Sequence, residues 1–280
     1  MKIGLIDIDN KIANLPLMKI KSYYKNNCDW YDGFSKYDKV YISKIFDFSK
    51  DYEYYIKAAE IIKGGTGYDI KSKLSDEIEN CQPDYSIYPD CDYSVQYFSR
   101  GCIRSCPYCI VQEKEGWIYP VSPMNLNPKG EWIEILDNNF FANPQWEEAI
   151  KYLRNKKQPV NFHGIDVRLI NEKQCQALNS LKHIKQIHIG WDNPKENLIP
   201  KIQEMIKYIK PYKIMCYVLI GYWSSKEEDY YRVQKLKSLG IDPFVMPYNK
   251  DDPYQNNFTR WCDFKAIFKR IKWKWYKWRF

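Results

Sequence analysis

From Tyr97 onward, short apolar runs recur with helical patterns between the later ones, and this alternation limits the fold more than any other property of the chain. Strand candidates lie at 97–101 (YFSRG), 131–136 (EWIEIL), 159–163 (PVNFH), 186–190 (QIHIG), 213–220 (KIMCYVLI) and 241–247 (IDPFVMP). Asn143 and Pro144 open a helix with Trp146, Ile150 and Leu153 on one face. Asn171 and Glu172 open another, and Ile202, Met205, Ile206 and Ile209 form an i, i+3, i+4, i+7 stripe. Ser225 and Glu228 form a capping box, and Gly240 stands where that helix should end. Repeated βα units give a parallel sheet, here expected to curve into a partial (β/α)6 TIM-like barrel. In such barrels the chemistry sits on loops at the C-terminal ends of the strands.

The first 92 residues read as a smaller, Rossmann-like α/β domain. Residues 2–8 and 39–46 are strand candidates, and Leu17, Ile20 and Tyr24 lie at helical spacing between them. Ser49 ahead of Asp51 and Glu53 marks a further helix start. KGGTGYD (63–69) is a glycine-rich turn without the G-x4-G-K-[ST] spacing of a phosphate loop. The pattern breaks between Pro83 and Asp92. Residues 93–255 then form the barrel domain, and 256–280 a basic aromatic C-terminal segment.

The stretch SRGCIRSCPYCIVQ (99–112) follows the first strand candidate and spaces Cys102, Cys106 and Cys109 as C-x3-C-x2-C. The chain has nine cysteines, and the other six, Cys28, Cys81, Cys91, Cys175, Cys216 and Cys262, are scattered. The N-terminal apolar run is broken by Asp7 and Asp9, so it does not read as a signal peptide. No run approaches the roughly 18 apolar residues of a membrane span. A cytoplasmic location is expected, where thiols serve metal or redox chemistry more readily than a disulfide framework. Structural zinc would need a fourth ligand, from Cys91, His163 or His188. An iron–sulfur cluster normally takes four thiolates, so three would leave one iron open to a substrate or cofactor.

C-x3-C-x2-C with an aromatic residue before the last Cys, on the loop after the first strand of a six-unit alternation, resembles the radical S-adenosylmethionine (SAM) superfamily. The longer string SRGCIRSCPYC resembles the branch with a cobalamin-binding-like domain ahead of the barrel, and the methylthiotransferases. The resemblance covers about residues 93 to 262 and, more loosely, the first 90. It implies that Cys102, Cys106 and Cys109 each ligate one iron of a 4Fe-4S cluster, with SAM chelating the fourth. It further implies reductive cleavage of SAM to a 5′-deoxyadenosyl radical, which abstracts hydrogen from a substrate. Such an enzyme needs a reducing electron donor such as a flavodoxin or ferredoxin. EILDNNFFANP (134–144) resembles the segment of that branch in which Asp137 or Asn138 would contact SAM, with Asn139 beside them. NFHGIDVRLI (161–170) places Arg168 where a guanidinium could pair with the SAM carboxylate, the alternative being an ordinary salt bridge. Tyr108 would stand near the adenine, and YVLIGY (217–222) resembles the strand that packs on it. Cobalamin binding is not expected, because no His precedes His163. No second cysteine cluster is present to favour methylthiolation.

The net charge of +8 suits an anionic partner such as nucleic acid, or simply a lysine-rich surface. KRIKWKWYKWRF closes the chain, and Trp261, Phe264, Phe268, Ile271, Trp275 and Trp278 recur three and four apart. One amphipathic helix is expected there. It would cap the barrel, bind nucleic acid or lie on a membrane surface. The competing reading for the whole chain is a non-catalytic, metal- or cluster-stabilised nucleic-acid-binding protein.

Overall fold

Ile3, Leu5 and Ile6 drive the first strand into the interior of a parallel sheet. In the computed structural model of the protein, which describes residues 1–276, β1 (Ile3–Asp7) pairs with β2 (Cys28–Trp30) and β3 (Tyr37–Ser43), and β3 with β4 (Ala58–Gly64). The order is β2-β1-β3-β4. α1 (Leu15–Tyr24) connects β1 to β2. Asn14 caps it by accepting from Leu17 N, and the same side chain donates to Ser43 Oγ at 2.8 Å, tying the helix start to the end of β3. A short α2 (Asp76–Glu79) follows the sheet. Ile3, Leu5, Leu17, Met18 and Ile20 form one core together with Tyr85, Ile87 and Val95.

The helix expected from Ser49 does not form. Ser49 Oγ instead donates to Asp9, and Asp51 pairs with Lys44 at 2.7 Å, so the residues that would open a helix hold the loop after β3. The structure adds β4, an edge strand with mostly exposed or half-buried residues. KGGTGYD turns back across the loop after β3. A Cβ on Gly65, whose φ is +96°, would lie 2.3 Å from Lys44 O.

The second alternation starts four residues earlier than its apolar run suggests, at β5 (Tyr93–Gln96). The chain then leaves the ladder. A two-residue β6 (Ser99–Arg100), the Cys-bearing loop, α3 (Val111–Glu115) and β7 (Tyr119–Pro120) follow, with β6 and β7 antiparallel. Regular units resume with β8 (Trp132–Ile135), α4 (Trp146–Lys156), β9 (Val160–Phe162) and α5 (Glu172–Asn179). They continue with β10 (Ile187–Gly190), α6 (Ile199–Met205), β11 (Ile214–Ile220), α7 (Lys226–Ser238) and β12 (Asp242–Pro247). β5-β8-β9 and β10-β11-β12 are parallel ladders in chain order. Single parallel bridges, Val160–His183 and Ile165–Ile189, stand between them. The fold is therefore mixed α/β with parallel sheets, as repeated βα units require. The capping box of Ser225 with Glu228 forms, and the helix start at Asn171 proves to be a second one, with Gln174. Ile133, Ile135, Phe162, Ile189, Cys216 and Val218 meet Ile150, Leu153, Leu178, Met205 and Leu236 in the main core.

The C-terminal stripe is not one helix. α8 (Pro253–Asp263), capped by Asp252, runs through the expected division at 255/256 and packs on β12. The chain breaks at Phe264 (φ −80°, ψ 86°) and restarts as α9 (Lys265–Arg270). Trp261 and Phe268 are buried, whereas Phe264, Ile271 and Trp275 face outward. Trp278 lies outside the described residues. Among the described residues no helix is long and apolar enough to cross a membrane.

Candidate functional site

The loop that carries the three cysteines is tied at both ends. Gly101 has φ +78°, and a Cβ there would lie 2.5 Å from Trp117 O, so only glycine fits. Glu115, at the end of α3, accepts from Gly101 N (2.8 Å), Arg100 Nη2 (2.6 Å) and Asn138 Nδ2 (2.8 Å). Gln112 donates to the Cys102 carbonyl, Cys102 N to Gly116 O at 3.2 Å, and Cys109 N to Cys106 O at 2.9 Å. One carboxylate thus gathers the entry to the loop, its exit and the segment after β8.

The three thiols are free, with Cys102 and Cys106 half-buried and Cys109 exposed. Cys102 Sγ accepts from Arg104 N at 3.3 Å and faces Asn139 Nδ2 at 3.8 Å. Among the described residues no three His, Cys, Asp or Glu side chains converge as a site for one metal ion. The alternative fourth ligands are engaged elsewhere. Cys91 Sγ donates to Tyr93 O at 3.3 Å, and His163 Nε2 meets Glu134 Oε2 at 2.5 Å. His188 is buried against the His163 and Tyr217 rings.

A cavity of about 220 Å³ opens beside Cys106 at the C-terminal ends of β9, β10 and β11. Arg104, Tyr108, Arg168, Asp192, Glu196 and Trp223 are among its walls. Tyr108 OH donates to Asp192 Oδ2 at 3.0 Å, and its ring meets Tyr222 and Trp223 edge-on. Burial raises the Tyr108 phenol, and the Asp192 charge adds to it. Burial also raises Asp192, whose Oδ1 has no hydrogen bond of good geometry. Arg168 donates to Asp166 Oδ1 (2.6 Å) and Glu196 Oε2 (3.0 Å), and Arg104 Nε to Asp166 Oδ2 (3.0 Å). Burial opposes the Asp166 charge, but Arg168 and Arg104 outweigh it and hold the carboxyl below its usual range. Behind the wall, buried Arg232 from α7 pairs with Asp229 and donates to Trp191 O (2.8 Å) and Asp192 O (3.2 Å), which fixes the Asp192 backbone.

Of the residues expected at the site, Tyr108 and Arg168 line the cavity. Asp137 and Asn138 stand at the expected strand end but behind the loop. Asp137 is buried and accepts from Phe98 N (3.0 Å) and Ser99 Oγ; burial pushes it up to about 6. A Cβ on Gly164 would sit 2.2 Å from Asp137 O, so this backbone is pressed against the end of β9. It is the next residue, Asn139, that reaches Cys102, and its Oδ1 is buried without a partner. Arg104, Asp192 and Glu196 were not anticipated. The string GWDNPKEN at the end of the fourth strand candidate was the signal for the last two, because strand C-termini are where barrel chemistry is found.

Compared with protein-family models and with curated proteins, the chain matches none.

Proposed function

We propose that the protein is a radical SAM enzyme. The observation that carries this reading is the free C-x3-C-x2-C turn beside a cavity at the C-terminal ends of sequential parallel strands. On this reading the six strands from β5 to β12, β6 and β7 aside, are a partial barrel, and the layer ahead of them is Rossmann-like. Cys102, Cys106 and Cys109 would hold three irons of a 4Fe-4S cluster, and the amino and carboxylate groups of SAM would take the fourth. Such a cluster, when bound and reduced, supplies the electron that cleaves SAM to methionine and a 5′-deoxyadenosyl radical, which takes hydrogen from a substrate.

The residues of this chain supply position, charge balance and exclusion of water. Arg104 N and Asn139 Nδ2 face the sulfur of Cys102. Arg168 lies within reach of an incoming carboxylate and would exchange Glu196 for it. Asp192 Oδ1 is an acceptor for a ligand hydroxyl, and Tyr108 with Trp223 makes an aromatic wall for a purine. A reducing cytoplasm with a flavodoxin or ferredoxin as electron donor completes the reading. No role for cobalamin is proposed. The described N-terminal layer has no His, and Asp7 at the end of β1, Asp9 in the loop after it and Asn14 at the start of α1 are bonded to Tyr88, Ser49 and Ser43. The second reading, a cluster-stabilised nucleic-acid module without catalysis, is favoured by the basic C-terminal segment alone.

Anaerobically reconstituted, dithionite-reduced protein incubated with SAM should form 5′-deoxyadenosine. The Cys102→Ala/Cys106→Ala/Cys109→Ala variant should form none. Bound zinc with no SAM binding would overturn the enzyme reading.

A further inference from the structure

Residues 264–280 hold seven Lys and Arg and no acidic residue, so nearly all of the net charge of +8 lies in the last seventeen residues. The described part of this segment is two-sided. Phe268 is buried, and Trp273 and Tyr276 pack against the main core around Trp261. Trp261 Nε1 donates to Ile271 O at 2.8 Å, and Lys237 Nζ to Phe268 O at 2.7 Å. Those contacts anchor the segment and account for its inward aromatics. They do not account for Phe264 and Trp275, which are 66% and 62% exposed. Lys272 and Lys274 stand over the Trp275 ring at 5.3 and 5.0 Å. Lys269, Arg270, Lys272 and Lys274 are exposed and form no ion pair among the described residues.

We propose that this face, with Trp275 and Phe264 as stacking platforms and Lys269, Arg270, Lys272 and Lys274 as phosphate contacts, docks single-stranded nucleic acid. An outward ring flanked by Lys272 and Lys274, with a second outward ring and further cations on the same short segment, matches a polymer that alternates π-faces with negative charges. A lipid surface fits less well. Interfacial binding needs a helix with a continuous free apolar face. Here α9 has six residues, and its apolar Phe268 is already spent on the core.

The face lies away from the cysteine loop. Lys265 pairs with Asp242, the first residue of β12, and approaches Gln186, which directly precedes β10. These are the N-terminal ends of the strands, opposite the cavity. The proposal therefore does not rest on the radical SAM reading.

The test is fluorescence anisotropy on the full chain with a labelled oligouridylate of about 16 nucleotides, the upper site size of single-strand modules. Binding is expected, with a log–log salt slope of about −3 for four phosphate contacts. Trp275→Ala should weaken it about tenfold. Lys272→Gln/Lys274→Gln should make the slope shallower by about 1.4. Both variants change exposed side chains, so an unchanged melting midpoint verifies the fold. Binding should persist in the triple-cysteine variant, which separates this proposal from the catalytic one. Wild-type protein that ignores the oligonucleotide at about 50 mM salt would overturn it. So would variants that keep both wild-type affinity and slope, or binding confined to phosphatidylserine vesicles.

Discussion

Glu134 projects from the middle of β8 and is almost fully buried, which by itself would favour the neutral acid. Hydrogen bonds from His163 (2.5 Å), Trp132 Nε1 (2.7 Å) and Asn161 Nδ2 (2.7 Å) outweigh burial and hold it at about 2. Because the folded value is depressed, the stabilisation is complete above the unfolded value near 4.5 and is lost as pH falls from there towards 2. Its ceiling is about 3 kcal/mol, less where solvent screens the exposed His163 side. Denaturant melts between pH 5 and 2.5 should show a flatter acid limb in Glu134→Gln than in the wild type; parallel limbs would remove Glu134 from the account. At this scale the sequence was readable where chemistry is local. Cys102, Cys106 and Cys109, with Tyr108 between the last two, form one short motif. The place of Arg168 after a strand puts it on a cavity wall, where it pairs with Asp166 and Glu196. Arg104, Asp192 and Glu196 were not readable, because the partners that hold them, Asp166, Tyr108 and Arg168, lie 62, 84 and 28 residues away in the chain. Arg104 reaches Asp166 from 62 residues away, a distance no local pattern spans.

Elements were legible where their own residues close their hydrogen bonds. Ser225 Oγ accepts from Glu228 N, and Glu228 Oε2 accepts in turn from Ser225 N at 2.7 Å, so α7 announces its own start. Ser225→Ala should cost about 1 kcal/mol of stability in chemical denaturation; no loss would show that packing of Val233 and Leu236 alone sets the helix. Five strand candidates of the second alternation fall within two residues of their observed ends. The first does not, because Phe98 N and Ser99 Oγ are claimed by Asp137, 39 and 38 residues away, and leave the ladder. β4 was missed because an edge strand needs few buried residues and AAEIIKG shows weak alternation. The stripe from Trp261 to Trp275 failed for a geometric reason. On a straight helix Trp273 would point about 120° away from Trp261, whereas the two rings sit 5.4 Å apart. Only a broken chain brings both to one core.

Across the whole molecule, the two alternations share more than a junction. Val95 of β5 belongs to the core of the N-terminal sheet, and Tyr93 OH accepts from Ala13 N at 3.0 Å. Thr66, on the glycine-rich turn, accepts from Lys114 of α3, and Lys250 after β12 covers the Phe48 ring at 4.8 Å. Calorimetry should therefore record one cooperative unfolding transition; two resolved transitions would show that these contacts do not couple the layers. The charges of the molecule also differ in reach. Arg104 and Arg168 already rest on Asp166 and Glu196, so beyond contact range their fields largely cancel. A ligand of the cavity would therefore be selected by touch. Lys272 and Lys274 of the C-terminal segment form no ion pair among the described residues, and the pull of such charges extends to the screening length of about 8 Å in physiological salt. One end of the protein is thus felt before it is met, and the other only after.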